Sequence, residues 1–480
     1  MKKSKLLSVV FFTIVLAAVL AVPVLARGTM PVYISEQSRQ NIVRIITPLI
    51  FVISMVVFFL GTGRKGEEKG LWITAMVFSF LCVMGIGAIW YMVARSSPEE
   101  NTPSYYNLIH PVKGGVQCKK IDLEAVLNEP SVDSQINVRS IGSQLDVNCM
   151  EKEQEDLSLQ QNAEMPLFIP TGVFIQSMEF SSANDVVVTG YVWQRYTNDV
   201  PSDITRGFIM PEGDSDVYQT EENAVYKKVQ GDETVYGWYI NTAVRQTFDY
   251  SHYPFDRQDI WLRLWHHDFD RNVILVPDLK SYDAVDGWPE ETNVYLGLER
   301  DFVLERLALE RTYFNYHYNS YNTDFGIDSY VGQNAYPELY FNVGVRREVL
   351  DAFVAYMIPM FILILMSFGV QFIVTQIPDK MSMHGISTTG LIGYYASLFF
   401  IGILAQLDIR RTLNAPGVVY IEYFYFALYV ILLLQTINSV IFAASDDVGF
   451  LEYKDNLYPK VIFFPITLGL MYLITAYIFY

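Results

Sequence analysis

Two textures of hydrophobic and polar positions alternate along this chain. The first is a two-residue alternation. In Gln258–Trp265, Ile260, Leu262 and Leu264 fall on one side and Trp261, Arg263 and Trp265 on the other, the pattern of a half-buried strand. The same texture predicts strands at Gly172–Phe180 and Asp185–Tyr196, joined by the polar turn Ser181-Ser182-Ala183-Asn184, and at Val217–Lys228, Thr234–Phe248, Val273–Pro277, Phe302–Tyr318 and Leu339–Val345. Short strands separated by polar turns predict a β-sandwich over residues 166–345. The second texture is the unbroken apolar run. Ile42–Leu60 and Leu71–Val93 form one pair, and Val349–Thr375, Ile386–Leu407, Tyr420–Ala443 and Pro459–Tyr480 a set of four. Each is long enough to cross a bilayer as a helix.

Composition agrees with a membrane protein: 51% of the 480 residues are hydrophobic, and they are clustered. The formal net charge of −18 excludes nucleic acid as a partner, because phosphates require basic patches. Residues 1–26, with Lys2, Lys3 and Lys5 before an apolar run and Val24-Leu25-Ala26 at its end, suit a cleaved signal peptide or a first membrane helix. The basic linker with Arg64, Lys65 and Lys69 places the turn of the hairpin at 42–94 on the inner side. Whatever follows Arg95 is then exterior for either fate of residues 1–26. Residues 96–165 are polar and read as a small exterior accessory domain, with a strand pair or loop at Ser131–Asp146. Cys118 and Cys149 fall there, and a disulfide between them suits that side; Cys82, inside an apolar run, is a packing residue.

No motif of enzyme chemistry is present: the chain lacks GxSxG, a P-loop, GxGxxG after a strand and HExxH. Trp265-His266-His267-Asp268-Phe269-Asp270 is the only cluster with metal-like chemistry. Adjacent histidines on a strand point to opposite faces, so they are expected at a strand end in solvent or at a subunit contact. Calcium on loop carboxylates is an alternative that spacing cannot read. The run Ile386–Leu407 differs from the other apolar runs in carrying Ser387, Thr388, Thr389, Gly390, Gly393, Ser397 and Gly402. Such residues mark close helix packing or a water-lined face. Three stripes at helical spacing fit. The preferred one runs through Ser387, Leu391, Tyr394, Leu398, Ile401, Ala405 and Asp408, and a neighbouring one through Thr388, Ile392, Tyr395, Phe399 and Gln406.

The turn Tyr253-Pro254-Phe255-Asp256, the pair Arg346-Arg347 closing the last strand, and four apolar runs after a strand-rich domain occur in that order. Together they resemble the pentameric ligand-gated ion channels, the Cys-loop receptor family, in its prokaryotic branch. No cysteine flanks the turn, as in prokaryotic members. The resemblance covers residues 166–480. It implies an extracellular ligand-binding β-sandwich at 166–345 followed by a four-helix transmembrane channel domain at 346–480, the N-terminal hairpin and accessory domain being additions. It further implies a homopentamer in a bacterial inner membrane with its large domain outside, opened by a small-molecule or ion agonist.

The family's ligand site lies between subunits. By resemblance it draws on Trp193 and Arg195 of the aromatic-x-Arg strand and on Tyr316, Tyr318 and Tyr321 of the Tyr-rich segment Tyr313–Tyr336, which stands where the family has its closing flap. Self-packing of that segment is the alternative. The resemblance pairs Asp256 with the arginine before the first span. It has Tyr253, Pro254 and Phe255 press on the loop Asp408–Gly417, where Arg410 and Arg411 lie. The stripe becomes the pore lining, with Asp408 as an outer ring favouring cations and Lys380 at the inner mouth opposing it. A membrane-tethered binding or sensor protein that conducts nothing is the rival reading.

Overall fold

In the computed structural model, residues 68–95, 106–112, 115–120, 166–214, 218–278, 281–282, 297–299, 301–319, 321–327, 336–375, 377, 387–444 and 453–479 are described. They divide into a helical unit, drawn from Met1–Glu99, Asp249–Asp256 and Arg347–Tyr480, and a strand unit, drawn from Glu100–Phe248 and Arg257–Arg346. The chain therefore passes into the helical unit for one eight-residue turn, between Phe248 and Arg257, long before its final helices.

Among the described residues the strand unit holds twelve strands, numbered in chain order: β1 Tyr106–Val112, β2 Gly115–Lys120, β3 Leu167–Phe180, β4 Asp185–Thr197, β5 Gly207–Ile209, β6 Tyr218–Thr220, β7 Tyr226–Gln230, β8 Glu233–Arg245, β9 Arg257–His266, β10 Val273–Pro277, β11 Leu307–Asn319 and β12 Tyr336–Arg347. They form a seven-stranded sheet in the order β2-β1-β11-β12-β9-β5-β6 and a five-stranded sheet in the order β10-β3-β4-β8-β7. The alternation seen in the sequence is realised on β9, where Gln258, Ile260, Leu262, Leu264 and His266 are buried, and on β4, where Val186, Val188, Val192, Gln194 and Tyr196 are.

The sheets meet through aromatic side chains. The Tyr316 hydroxyl on β11 donates to the Leu275 carbonyl on β10 at 3.0 Å, and Phe208 on β5 packs edge-on against Trp238 on β8 with centroids 5.5 Å apart. The run expected to be one strand, Val217–Lys228, is broken by a short helical turn at Glu221–Asn223. The hairpin β1–β2 pairs with β11 through Asn107–Asn315 and Leu108–Phe314. These residues thus extend a sheet of the strand unit, which corrects their assignment to a separate domain at 96–165. Cys118 lies on β2 opposite Leu108. Cys149 and Ser131–Asp146 lie outside the described residues, as do residues 1–60, so the disulfide and leader expectations fall outside them too.

Gly207 is required by its backbone. Its φ is +153°, and a Cβ there would overlap the carbonyl of Gln219 on the paired strand β6. Gly207→Ala is expected to lower the stability of the strand unit by about 2 kcal/mol, read as an earlier circular-dichroism melt of the full chain in detergent; an unshifted melt would refute the steric account.

Among the described residues the helical unit has five long helices: α1 Glu68–Ala94, α2 Val349–Ile373, α3 Thr388–Leu413, α4 Tyr420–Ala444 and α5 Leu457–Phe479. All five are long and apolar enough to cross a membrane, and this is a membrane protein. Within α2 a π-helical turn at Phe353–Met357 precedes Pro359, a wider turn common where a helix must yield to a missing N–H. α3 starts one residue after its cap, Ser387, whose hydroxyl accepts from the Gly390 amide at 3.1 Å. It ends at Leu413, six residues past the expected end. Asn414 closes it in the left-handed region at φ 47°. Arg410 and Arg411 are thus in the last helical turn, where cations offset the helix dipole, and the expected Asp408–Gly417 loop shrinks to Asn414–Val419.

α1 and α5 run parallel. Ala75 packs with Leu457 and Val461 at one end, Phe78 lies against Gly469, and Tyr472 lies against Gly85 farther along.

Candidate functional site

One cluster in the strand unit combines charge and aromatic faces. Arg263, on the polar side of β9, is held between two carboxylates: its Nε donates to Glu212 Oε2 at 3.1 Å and its Nη1 to Glu338 Oε2 at 3.3 Å. The same Nη1 donates to the Tyr321 hydroxyl at 3.1 Å, and that hydroxyl donates to Glu338 Oε1. Asn319 Nδ2 adds donations to Glu338 Oε2 at 2.5 Å and to the Tyr340 hydroxyl at 3.0 Å. Two carboxylates against one guanidinium leave one net negative charge. Burial raises Glu212 above the ordinary carboxylate range.

Beside this pair lies a set of rings. The Arg263 guanidinium sits 5.2 Å over the Trp265 ring. Trp265 meets Phe269 at 5.4 Å, Tyr321 at 5.6 Å and Phe325 at 6.4 Å. Its indole N–H is buried with no partner, a donor whose desolvation goes uncompensated in the isolated chain. Phe325 and Gly326 are both in the left-handed region, at φ 55° and 73°, which turns the backbone sharply at the tip and leaves the Phe325 ring 44% exposed.

Of the residues expected at a ligand site, Tyr321 lies in this cluster. Tyr316 does not: it is fully buried, its hydroxyl reaching the Leu275 carbonyl of the facing sheet. The Tyr318 side chain is outside the described residues. Trp193 and Arg195 lie on β4 of the other sheet and share an anchor absent from the sequence reading. Asp278 Oδ2 accepts from Trp193 Nε1 at 2.8 Å and from Arg195 Nη2 at 3.1 Å. Arg195 Nη1 also pairs with Glu233 at 3.1 Å. The Trp193 ring covers Gly172, where a Cβ would overlap it. Among the described residues nothing joins this pair to the Tyr321 cluster.

His266 is placed differently from the expectation of solvent or a subunit contact, whereas His267 stays half-exposed at the strand end beside Asp268. His266 is 3% exposed. Its Nδ1 accepts from the Asp268 amide at 3.1 Å, and its Nε2 lies 3.2 Å from the Tyr196 hydroxyl. That hydroxyl donates to Gln194 Oε1 at 2.8 Å, so Nε2 carries the imidazole proton. Burial pushes this imidazole down to about 4. No group of three or more His, Cys, Asp or Glu suited to a metal ion occurs among the described residues.

In the helical unit the expected coupling residues come together. Arg347 Nε and Nη2 donate to the two oxygens of Asp256 at 2.8 and 3.0 Å, and the Arg347 amide donates to the Asp256 carbonyl at 3.2 Å. The guanidinium also lies 4.8 Å over the Tyr253 ring. The Tyr253-Pro254 bond in the turn is cis. Phe255 faces Phe479 at 5.8 Å and Tyr420 at 6.3 Å, and the Tyr420 amide donates to the Ser251 carbonyl at 2.9 Å.

Two expectations are corrected here. Arg346 belongs to the strand unit, 3.8 Å from Glu310, which also holds Arg257 at 3.1 Å. Arg410 meets Glu422, Nε to Oε1 at 2.5 Å, instead of the turn. Glu422 is a buried carboxylate in the first turn of α4 and accepts the Val419 amide at 2.9 Å. Arg411 is exposed.

α3 is the least covered helix: 22% of its most apolar stretch is buried, against 39–50% for the other four. Its covered stripe is Leu391, Tyr395, Leu398, Gly402 and Ile409. The seven-residue stripe expected to face water therefore does not share one open face. Leu391 and Leu398 are packed inside the chain's own bundle, Ala405 is half-buried, and Ser387, Tyr394, Ile401 and Asp408 are exposed. The neighbouring stripe fails equally at Tyr395, which donates to Gln371 Oε1 at 3.1 Å. The helix face opposite the covered stripe carries Thr389, Gly393, Ser397, Phe400, Leu404 and Arg411, all exposed. Asp379 and Lys380 lie outside the described residues. No protein-family model matches the chain, and no curated protein matches it.

Proposed function

We propose that this chain is one subunit of a pentameric ligand-gated ion channel whose pore is lined by the open face of α3. The observation that carries the reading is that face. A membrane helix left mostly uncovered by its own chain is completed by copies of itself, by lipid or by water. On this face two hydroxyls and a glycine precede a bulky apolar zone, and Arg411 follows it. Five copies around an axis form a hydrated inner end and an apolar constriction at Phe400 and Leu404, where dewetting closes the path.

Ligand binding is assigned to the Arg263–Tyr321–Trp265 cluster, which offers aromatic faces, a net negative charge and an unpartnered indole N–H. Such a site favours a small cationic or polar agonist. In the proposed ring Trp193 and Arg195 are contributed by the neighbouring copy. Cation selectivity is proposed from the net charge of −18 and from Asp408, with Arg411 on the same turn opposing it. The Asp256–Arg347 pair, with Phe255 on α4 and α5, couples binding to opening. A ligand shifts that equilibrium only by binding the open state more tightly.

The test is current through the purified full chain in a planar bilayer under asymmetric NaCl, during steps of pH, calcium and small amines. Cysteines are placed singly at Phe400, Leu404, Leu391 and Leu398. A charged thiol reagent should change the current about tenfold or more at Phe400 and Leu404 and leave Leu391 and Leu398 unaffected. Modification at the latter two alone would overturn the register. Absence of current from the wild type under every condition would overturn the channel reading in favour of a non-conducting sensor. Reversal near the chloride potential would reverse the selectivity.

A further inference from the structure

α1 precedes the strand unit in the chain and is not needed to complete a four-helix subunit. Its position is nevertheless specific. One stripe, Ile73, Val77, Phe80, Met84 and Tyr91, is exposed, while the opposite side is buried along α5. At its C-terminal end Trp90 is 3% exposed and touches three elements at once. Its ring lies 5.8 Å from Phe255 of the turn and 6.4 Å, edge-on, from Phe353 in the π-helical turn of α2. Its indole Nε1 donates to the Tyr420 hydroxyl at 2.8 Å.

The donors then run in one direction. Thr475 gives its hydroxyl proton to the Met471 carbonyl at 2.8 Å. The Tyr420 hydroxyl, 2.7 Å from Thr475 Oγ1, therefore donates to Thr475 and accepts from Trp90. This chain, Trp90 to Tyr420 to Thr475 to Met471, crosses α1, α4 and α5 inside an apolar environment. Each of its polar hydrogens is used, and removing one donor leaves an acceptor in hydrocarbon without a replacement.

We propose that α1 is a fifth, gating-coupled helix of each subunit, and that Trp90 is the positioning residue that holds the Phe255 turn against the starts of α2 and α4. A bilayer anchor needs an apolar surface of sufficient length; it does not need a buried indole bonded to the first residue of another helix and in ring contact with a turn 165 positions away. The proposal rests on the channel reading for the word gating. Its structural half, that Trp90 positions the turn, stands separately.

The experiment compares wild type, Trp90→Ala, Trp90→Phe and the exposed-stripe control Met84→Ala in the full chain. The first readout is hydrogen–deuterium exchange of residues 249–256 in detergent, which requires no conduction. Loss of the ring and its bond should speed exchange of the Tyr253 and Phe255 amides about tenfold in Trp90→Ala, with a smaller increase in Trp90→Phe, which keeps a ring and loses only the donor. Met84→Ala should match wild type. The second readout is bilayer current under whichever step opens the wild type, where both Trp90 variants should shift the open fraction and Met84→Ala should not.

Exchange in both Trp90 variants equal to that of Met84→Ala overturns the proposal. Faster exchange with unaltered current in a conducting wild type overturns the gating half and leaves Trp90 a purely structural residue. A silent wild type defeats the channel reading instead, and the exchange result alone then decides the positioning role. If Trp90→Ala fails to fold, Trp90→Phe carries both readouts.

Discussion

Asp256→Asn is expected to destabilise the helical unit by about 3–5 kcal/mol, the usual cost of leaving a buried charge unpaired. The size follows from the geometry. Arg347 is bound by both oxygens of Asp256, and the side chains are 15% and 1% exposed, so water cannot take over the guanidinium when the carboxylate is lost. An exposed pair would contribute about 0–1 kcal/mol. Asparagine keeps one acceptor oxygen and the shape of the turn, so the loss isolates charge from packing. Because desolvation offsets most of the attraction in an intact buried pair, Asp256→Leu combined with Arg347→Met should recover most of the loss. The measurement is apparent unfolding of the purified full chain in detergent, with single and double variants compared as a cycle. Asp256→Asn as stable as wild type, or a double variant as unstable as the singles, would show that the pair is not the anchor of the turn.

The second large effect is on pH. His266 titrates at about 4 in the folded chain, against an ordinary 6.5. A basic group with a depressed folded value contributes stability in full above 6.5. That stability falls as the unfolded chain takes up the proton first, and the fall is complete below about 4. A gap of this width is worth about 3 kcal/mol. Burial is the first cause of the resistance to protonation; Nε2 already carries its proton, and a second proton on Nδ1 would also displace the Asp268 amide from its acceptor.

His317, also held near 4 by burial and then by Arg263, adds a slope of the same sign. Glu212 and Asp259, raised by burial, oppose it. The quantity to measure is therefore the difference between wild type and His266→Gln in unfolding free energy from pH 7 to pH 4. That difference should shrink by about 3 kcal/mol as pH falls. A parallel pair of curves would mean that His266 is charged or exposed in the folded chain.

Legibility differed by element. The alternation on β9 and β4 was readable because strand faces repeat every two residues whatever packs on them. The span of β10 matched to the residue, since a short apolar run between polar turns has no other use. The end of α3 was misread because its last turn is charged: Asp408, Arg410 and Arg411 look like a loop until Glu422 and the Asn414 cap are seen to complete a helix. Tyr316 was misassigned because a Tyr-rich segment looks uniform in sequence, although Tyr316 is fully buried while Tyr321 lies beside Arg263 and Glu338. His266 and Trp265 drew attention as a metal-like cluster, and the carboxylates that matter nearby, Glu212 and Glu338, carry no sequence signal that links them to Arg263.

The sequence by itself determined what local chemistry can determine: the strands with clear alternation, such as β4 and β9, which segments are long enough to cross a bilayer, and the order in which the turn, the arginine pair and the final helices occur. These follow from side-chain periodicity and length, which neighbours cannot alter. Only the tertiary structure decided which face of α3 is open, which of the two adjacent arginines binds Asp256, and what α1 touches. Each of those depends on a partner far along the chain, 91 residues for Arg347 and Asp256 and 330 for Trp90 and Tyr420. Rotating a helix by a sixth of a turn changes those partners while leaving its apolar pattern intact.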